Sequence, residues 1–98
     1  MILVRDVFQA KYGRGDELVA LFKEMQQALP ELVNQGFRIL TDASGPFFTI
    51  VTEYQMENLG AWEKLVKESF ADPQFGDWFG RMMAVVESGR REFYNIES

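Results

Sequence analysis

Hydrophobic side chains recur along the chain with two different spacings, and these spacings predict four strands and three helical segments. Short runs rich in Ile, Val, Phe and Thr are typical of strands, whereas apolar positions three and four residues apart are typical of helices that bury one side. The order of the runs predicts a β-α-β-β-α-α-β arrangement. The predicted strands cover residues 2–11, 37–43, 47–56 and 90–97, and the helical stripes run over residues 18–33, 59–70 and 75–86.

Residues at the ends of these segments predict where the helices begin and end. Asp16 is expected to cap the first helix, and Pro30 is expected to kink or break that helix late in its course. The second helix is expected to begin near Asn58. The third follows Asp72-Pro73, a cap residue with a first-turn proline, and residues 87–89 are expected to close it.

The order of the elements identifies the fold class as α+β. Two interleaved β-α-β units form a ferredoxin-like βαββαβ domain with a four-stranded antiparallel sheet. Because crossover connections are right-handed, both helical layers are expected on one face of that sheet. We predict a single domain over residues 1–98, since no repeat, linker or low-complexity segment interrupts the chain.

The face of the sheet turned away from the helices is predicted to be too apolar for a monomer. Side chains alternate between the two faces of a strand, and this second face mixes apolar with charged residues. We therefore expect a homodimer, a dimeric α/β barrel whose two sheets pack around a partly polar cavity. Asp6 falls on the helix-facing side, where it needs a partner that the sequence does not identify. The second face carries Leu3, Val7, Leu40, Phe47 and Val51 together with Arg5, Arg38 and Glu53.

Composition excludes several classes of chemistry. The chain has no Cys and no His, which excludes disulfides, a thiolate nucleophile, a Ser-His-Asp triad and a histidine-ligated zinc or haem. We expect no metal and no cofactor. The net charge of −5 disfavours nucleic acid as a partner. No apolar run approaches the length of a membrane helix, so we expect a cytoplasmic protein that does not associate with membranes.

Three stretches carry a family resemblance: Tyr12–Leu18, Val51–Glu63 and Ala71–Tyr94. They resemble the dimeric α/β barrel superfamily, first its small NIPSNAP-like proteins and next its antibiotic-biosynthesis-monooxygenase-like proteins. The resemblance implies a homodimer with facing sheets and with clefts between sheet and helices. Some members are cofactor-free monooxygenases, some bind or degrade haem, and many have no known activity. The histidine that haem-using members carry is absent here, which argues against haem.

Three charged residues are candidates for binding a ligand. Arg5, Arg38 and Glu53 are expected to project together into the cavity. Buried charges must be paired to avoid a large desolvation cost, and such a cluster can hold a polar or anionic small molecule. The alternative is a plain ion pair at the interface between two copies.

Three aromatic residues complete the candidate set. Trp62, Trp78 and Tyr94 are expected near the cleft between sheet and helices, where aromatic walls suit a flat organic ligand. They also occupy helical-stripe or strand positions, so packing in the core is the simpler role for them.

These observations leave three functions open. The first is a NIPSNAP-like homodimeric domain without catalysis, which either has a structural role or binds a small organic ligand in a barrel or sheet–helix cavity. The alternative is a cofactor-independent monooxygenase-like enzyme acting on an aromatic or polyketide-like substrate, for which a pocket lined by Arg38, Glu53, a Trp and Tyr94 is expected. The third is a protein-interaction module that docks through exposed Phe75 and Trp78.

Overall fold

The computed structural model describes all 98 residues and contains a four-stranded antiparallel sheet with helices on one of its faces. The strands lie in the order β2-β3-β1-β4, so the first and third strands of the chain occupy the centre. This is the α+β, ferredoxin-like arrangement that the sequence predicted. The elements are β1 Ile2–Ala10, α1 Gly15–Ala28, α2 Glu31–Asn34, β2 Arg38–Thr41, β3 Thr49–Met56, α3 Leu59–Phe70, α4 Pro73–Val85 and β4 Val86–Asn95.

Three of the predicted helix boundaries are confirmed. The side chain of Asn58 accepts a hydrogen bond of 2.8 Å from the Ala61 amide and caps α3. Asp72 caps α4 in the same way, with Pro73 at the first helical position. Pro30 separates α1 from α2, because a proline within a helix removes one backbone hydrogen bond and clashes with the preceding turn. None of the helices has the length and apolar content needed to cross a membrane.

The prediction that Asp16 caps α1 is wrong. Gly13 adopts a φ of 80° and turns the chain, so that the helix already begins at Gly15 with Arg14 as its N-cap residue. Asp16 instead lies inside the first turn, where its negative charge still interacts favourably with the positive end of the helix.

The prediction that residues 87–89 close the third helix is also wrong, because β4 follows α4 without a loop and begins at Val86. Ser88 and Gly89 pair with Gln9 and Phe8 of β1, and a bulge near Ala10 absorbs the extra residue. A Cβ atom on Gly89 would come within 3.1 Å of the Phe8 ring. The glycine therefore allows close packing within the strand rather than a turn.

The second and third strands are shorter than the predicted residues 37–43 and 47–56. Phe48 has a φ of 60°, a left-handed conformation that is strained for a bulky side chain and ends the extended backbone. Strand β3 therefore begins at Thr49. Strand β2 ends at Thr41, and the backbone between these two strands forms the connecting loop.

Two apolar clusters fix the helices onto the sheet. The larger joins the end of β1 and the start of β3 to α1 and α4, and the smaller joins the other end of those strands to α3. The larger cluster consists of Ala10, Leu18, Phe22, Ile50, Trp78, Met82 and Val85. The smaller consists of Ile2, Val4 and Met56, against which Ala61, Trp62 and Leu65 pack.

We predict that Leu18→Ala lowers the free energy of unfolding by about 2–5 kcal/mol, because it leaves a cavity in the larger cluster. Leu18 is fully buried, whereas Leu59 is 52% exposed. Leu59→Ala is therefore the matched control and should cost less than about 1 kcal/mol. Urea denaturation followed by circular dichroism measures both, and equal losses would contradict the assignment of the core.

Candidate functional site

A cavity of about 320 Å³ lies between the sheet and the helices. Its floor is the helix-facing side of β1, β3 and β4, and its walls are α1 with α2 on one side and α3 with α4 on the other. Fourteen of its eighteen lining residues are hydrophobic. The walls comprise Phe22, Met25, Leu29, Leu32 and Phe37 on the first side and Leu65, Val66, Phe70, Phe75, Trp78, Phe79 and Met82 on the second.

The polar centre of the floor is an ion pair between adjacent strands. Asp6 and Arg91 lie directly opposite each other in the register of β1 and β4. Nε of Arg91 donates to one carboxylate oxygen of Asp6 at 2.6 Å, and Nη2 donates to the other at 3.3 Å. Burial lowers the pKa of Arg91, but Asp6 outweighs this effect and raises it above its usual value. Asp6 is buried on the helix-facing side of the sheet, and Arg91 is the charged partner that it needs there.

Beside this pair, Tyr54 and Trp62 form a second polar contact. The indole Nε1 of Trp62 donates to the Tyr54 hydroxyl oxygen at 3.0 Å. The guanidinium of Arg91 lies 4.9 Å from the centre of the Trp62 ring, a cation–π distance. Burial, and then the negative charge of Asp6, raise the pKa of Tyr54, so its hydroxyl keeps its proton at neutral pH.

Two hydroxyl side chains also line the cavity. Thr52 lies opposite Asp6 in the register of β3 and β1 and is only 2% exposed. Its hydroxyl makes none of the hydrogen bonds found in the structure. Ser69, near the end of α3, donates to the Leu65 carbonyl oxygen at 2.8 Å. The cavity therefore combines mostly apolar walls with polar groups that lie on its floor, apart from Ser69 on α3.

The aromatic side of the cavity is held in place by ring contacts. Phe75 stacks on Trp78 with ring centres 5.6 Å apart, and Phe70 meets Phe75 edge-on at 5.0 Å. Trp78 is 7% exposed, and its Nε1 donates to the Leu21 carbonyl oxygen at 2.7 Å. The hydrogen bond fixes the indole between α4 and α1, so Trp78 serves both the core and the cavity wall.

The opposite, open face of the sheet carries the three charged residues predicted from the sequence. Arg5 and Arg38 lie on either side of Glu53 in the strand register. Arg5 donates to one Glu53 oxygen at 2.6 Å and Arg38 donates to the other at 2.7 Å. The carboxylate is 1% exposed. Burial alone would raise the pKa of Glu53, but the two arginines together hold it below its ordinary value of 4.5.

Tyr94 also lies on this open face, so the prediction that it lies near the cleft between sheet and helices is wrong. The guanidinium of Arg5 lies 5.4 Å from the centre of the Tyr94 ring. The Tyr94 hydroxyl donates to Glu92 at 3.0 Å, and Glu92 in turn accepts from Arg90 at 3.1 Å. The open face is thus crossed by a row of alternating charges.

The six predicted ligand residues therefore fall on opposite sides of the sheet. Arg5, Arg38, Glu53 and Tyr94 come together on the open face, whereas Trp62 and Trp78 lie on the helix side. No single pocket joins the two groups, because side chains on alternate strand positions point to opposite faces. Ligand binding by either group stays a prediction.

Sequence reasoning missed the polar floor of the cavity, which consists of Asp6, Arg91, Tyr54 and Thr52. The unexplained position of Asp6 was the one signal available. Naming its partner required the β1–β4 register, in which Arg91 rather than the adjacent Arg90 shares its face.

The docking surface suggested for Phe75 and Trp78 is contradicted. Trp78 is buried and Phe75 is half-buried, since both rings pack towards the cavity. No group of three or more His, Cys, Asp or Glu side chains that could hold a metal ion comes together in the chain.

Solved structures with the same fold share little sequence with this chain. An uncharacterised NIPSNAP domain protein from Burkholderia xenovorans has a TM-score of 0.82 at 16% identity, covering 100% of this chain and 96% of that one. A NIPSNAP family protein from Agrobacterium tumefaciens has a TM-score of 0.84 at 16% identity, covering 96% and 90%. An antibiotic biosynthesis monooxygenase has a TM-score of 0.72 at 14% identity, covering 100% of both chains.

No protein-family model matches the sequence, and comparison with curated proteins gives no match. The structural similarities confirm the resemblance at the level of the fold, with NIPSNAP proteins scoring above the monooxygenase. At identities this low they do not transfer a function, because one fold serves many chemistries.

We predict that Glu53→Gln lowers the free energy of unfolding at pH 7 by about 2 kcal/mol, because two charge-assisted hydrogen bonds lose their charge. The cost stays moderate since both arginines are partly in solvent. The folded-state pKa of Glu53 is lowered, so its contribution is present above pH 4.5 and is lost as the pH falls through that lowered pKa.

Urea titrations at several pH values between 7 and 3 measure this effect. The difference between the wild type and Glu53→Gln should shrink as the solution is acidified. Glu63→Gln is the control, since Glu63 is exposed and takes part in no ion pair, and it should leave the pH profile unchanged. A constant difference at every pH would show that the glutamate charge does not stabilise the fold.

Proposed function

We propose that this protein binds a small, largely apolar organic molecule in the cavity between its sheet and its helices. The observation that carries the proposal is the lining: aliphatic and aromatic walls, with the polar groups on the floor apart from Ser69 on α3. Ligand sites typically have this composition and enclose roughly 300–1,000 Å³. The cavity of about 320 Å³ is at the lower end of that range, which favours a compact molecule.

The fold comparisons are compatible with this proposal. The NIPSNAP proteins that share the fold are described as uncharacterised or simply as family members, so they suggest no particular reaction. Binding, with or without a subsequent reaction, is the activity that the cavity itself supports.

Catalysis of the monooxygenase type is the weaker alternative. A protein described as an antibiotic biosynthesis monooxygenase shares the fold. In this cavity the one carboxylate, Asp6, accepts hydrogen bonds from Arg91 through both of its oxygens. Using Asp6 as a base to remove a proton would disrupt that pair. The floor is therefore better suited to holding a ligand than to proton transfer.

We also propose that two copies associate through the open face of the sheet. Val7, Val51 and Leu40 form an apolar row across three strands. In the neighbouring row, Arg38 and Arg5 are positive and Glu53 between them is negative. The same row on a second copy can therefore place its charges opposite charges of the other sign. An apolar row flanked by paired charges is typical of a protein interface.

Nile red, an uncharged dye whose fluorescence rises in apolar surroundings, tests the cavity. We expect saturable binding to the wild type. Ser69→Phe places a ring inside the cavity and should weaken binding at least tenfold, because the space is lost. Val66→Phe is a second variant of the same kind. Fluorescence titration measures the dissociation constants, and circular dichroism establishes that each variant is folded.

Glu68→Phe is the matched control, because Glu68 adjoins Ser69 on α3 and its side chain is 65% exposed. It should bind the dye as the wild type does. Absence of saturable binding, or equal binding by Ser69→Phe and Glu68→Phe, would refute the cavity as the site.

Val51→Lys tests association through the open face. A lysine in the apolar row faces its own copy across the interface, and like charges there should shift the protein from twice the chain mass to a monomer. Val33→Lys is the matched control, since Val33 is 60% exposed on α2. Sedimentation equilibrium measures the mass, and a monomeric wild type or a dimeric Val51→Lys variant would contradict the proposal.

A further inference from the structure

We infer that the sheet–helix cavity selects an uncharged molecule whose hydrogen-bond acceptor meets the hydroxyl groups of Tyr54 and Thr52. The inference rests on the proposed function and specifies the class of ligand. Three features of the floor support it: the balance of its charges, the free hydrogen of the Tyr54 phenol and the hydroxyl of Thr52 on the same face of the sheet.

The charges of the cavity cancel within the protein. Asp6 and Arg91 are the charged residues of its lining, and they bind each other through two hydrogen bonds of 2.6 and 3.3 Å. An anionic ligand reaches Arg91 only in competition with Asp6, and a cationic ligand reaches Asp6 only in competition with Arg91. Either ion also loses its hydration among apolar walls, which costs much free energy without a dedicated partner. An uncharged ligand avoids both costs.

The phenol of Tyr54 has a hydrogen to donate. Its oxygen accepts from Nε1 of Trp62 at 3.0 Å, and that contact fixes the hydroxyl while leaving its own hydrogen available. No acceptor in the chain receives this hydrogen among the hydrogen bonds of the structure. Burial and the nearby Asp6 raise the pKa of Tyr54, so the group remains a donor rather than becoming a phenolate.

Thr52 provides the second polar contact. It lies two residues before Tyr54 on β3, and both side chains therefore point to the same face of the sheet. It lines the cavity, and its hydroxyl makes none of the side-chain hydrogen bonds of the structure. A threonine hydroxyl can both donate and accept a hydrogen bond, so a ligand with a polar group at this depth can bond to it.

Three naphthalenes with the same ring test the inference: 2-acetylnaphthalene, 2-ethylnaphthalene and 2-naphthoate. The ketone carries a hydrogen-bond acceptor, the ethyl compound has none, and the naphthoate is anionic at pH 7. We expect the ketone to bind about fivefold more tightly than the ethyl compound, the effect of one added hydrogen bond. We expect the naphthoate to bind at least tenfold more weakly than the ketone. Titration of the ¹⁵N-labelled indole resonances of Trp62 and Trp78 measures all three.

Two variants and one control assign the preference to the floor. Tyr54→Phe and Thr52→Val should each bring the affinity for the ketone closer to that for the ethyl compound. Tyr94→Phe is the matched control, because Tyr94 lies on the open face with its hydroxyl on Glu92, and it should preserve the preference. The second variant keeps the test decisive should Tyr54→Phe not fold.

The outcomes separate the inference from the proposed function. Binding of all three probes with no preference for the ketone overturns the inference alone, as does tightest binding of the naphthoate. A preference that survives both Tyr54→Phe and Thr52→Val also overturns it. Failure of all three probes and of Nile red to bind refutes the proposed function and the inference together.

Discussion

The structure depends on the two-residue alternation of side chains in its two central strands. Strands β1 and β3 lie between partners on both sides, so each of their side chains is committed to one face. The alternation places Asp6 on the helix side and Glu53 on the open side. Both carboxylates are buried, and a buried carboxylate is stable only with a charged or hydrogen-bonding partner. Arginines on neighbouring strands supply these partners, and so each face has one ion-paired centre.

The two faces consequently differ in what they can do. On the helix side, the ion pair lies beneath apolar walls, since α4 packs against both α1 and α3 and leaves space above the sheet. There the charges of Asp6 and Arg91 neutralise each other. The hydroxyl groups are the uncharged polar groups that remain in the cavity lining. On the open side, Glu53 shares its two oxygens between arginines, and both arginines remain partly in solvent. That side presents paired charges to solvent, and the helix side encloses a cavity.

Most of the fold could be predicted because it follows from local signals. The strand and helix runs, the caps at Asn58 and Asp72 and the break at Pro30 each depend on neighbours a few residues away. The error at residues 87–89 arose because distant residues decided the conformation. Residues 87–89 resemble a turn, but pairing with β1 makes them part of a strand. The glycine among them is present because the Phe8 ring packs against it.

The sequence by itself determined which residues share a face, because alternation and helical spacing are local properties of the backbone. That was enough to bring Arg5, Arg38 and Glu53 together. It could not determine that Arg91 pairs with Asp6, because that contact joins residues 85 positions apart and depends on strand register. The tertiary structure also decided that a cavity remains between the sheet and the helices, since its volume depends on how far apart packed helices lie rather than on any residue pattern.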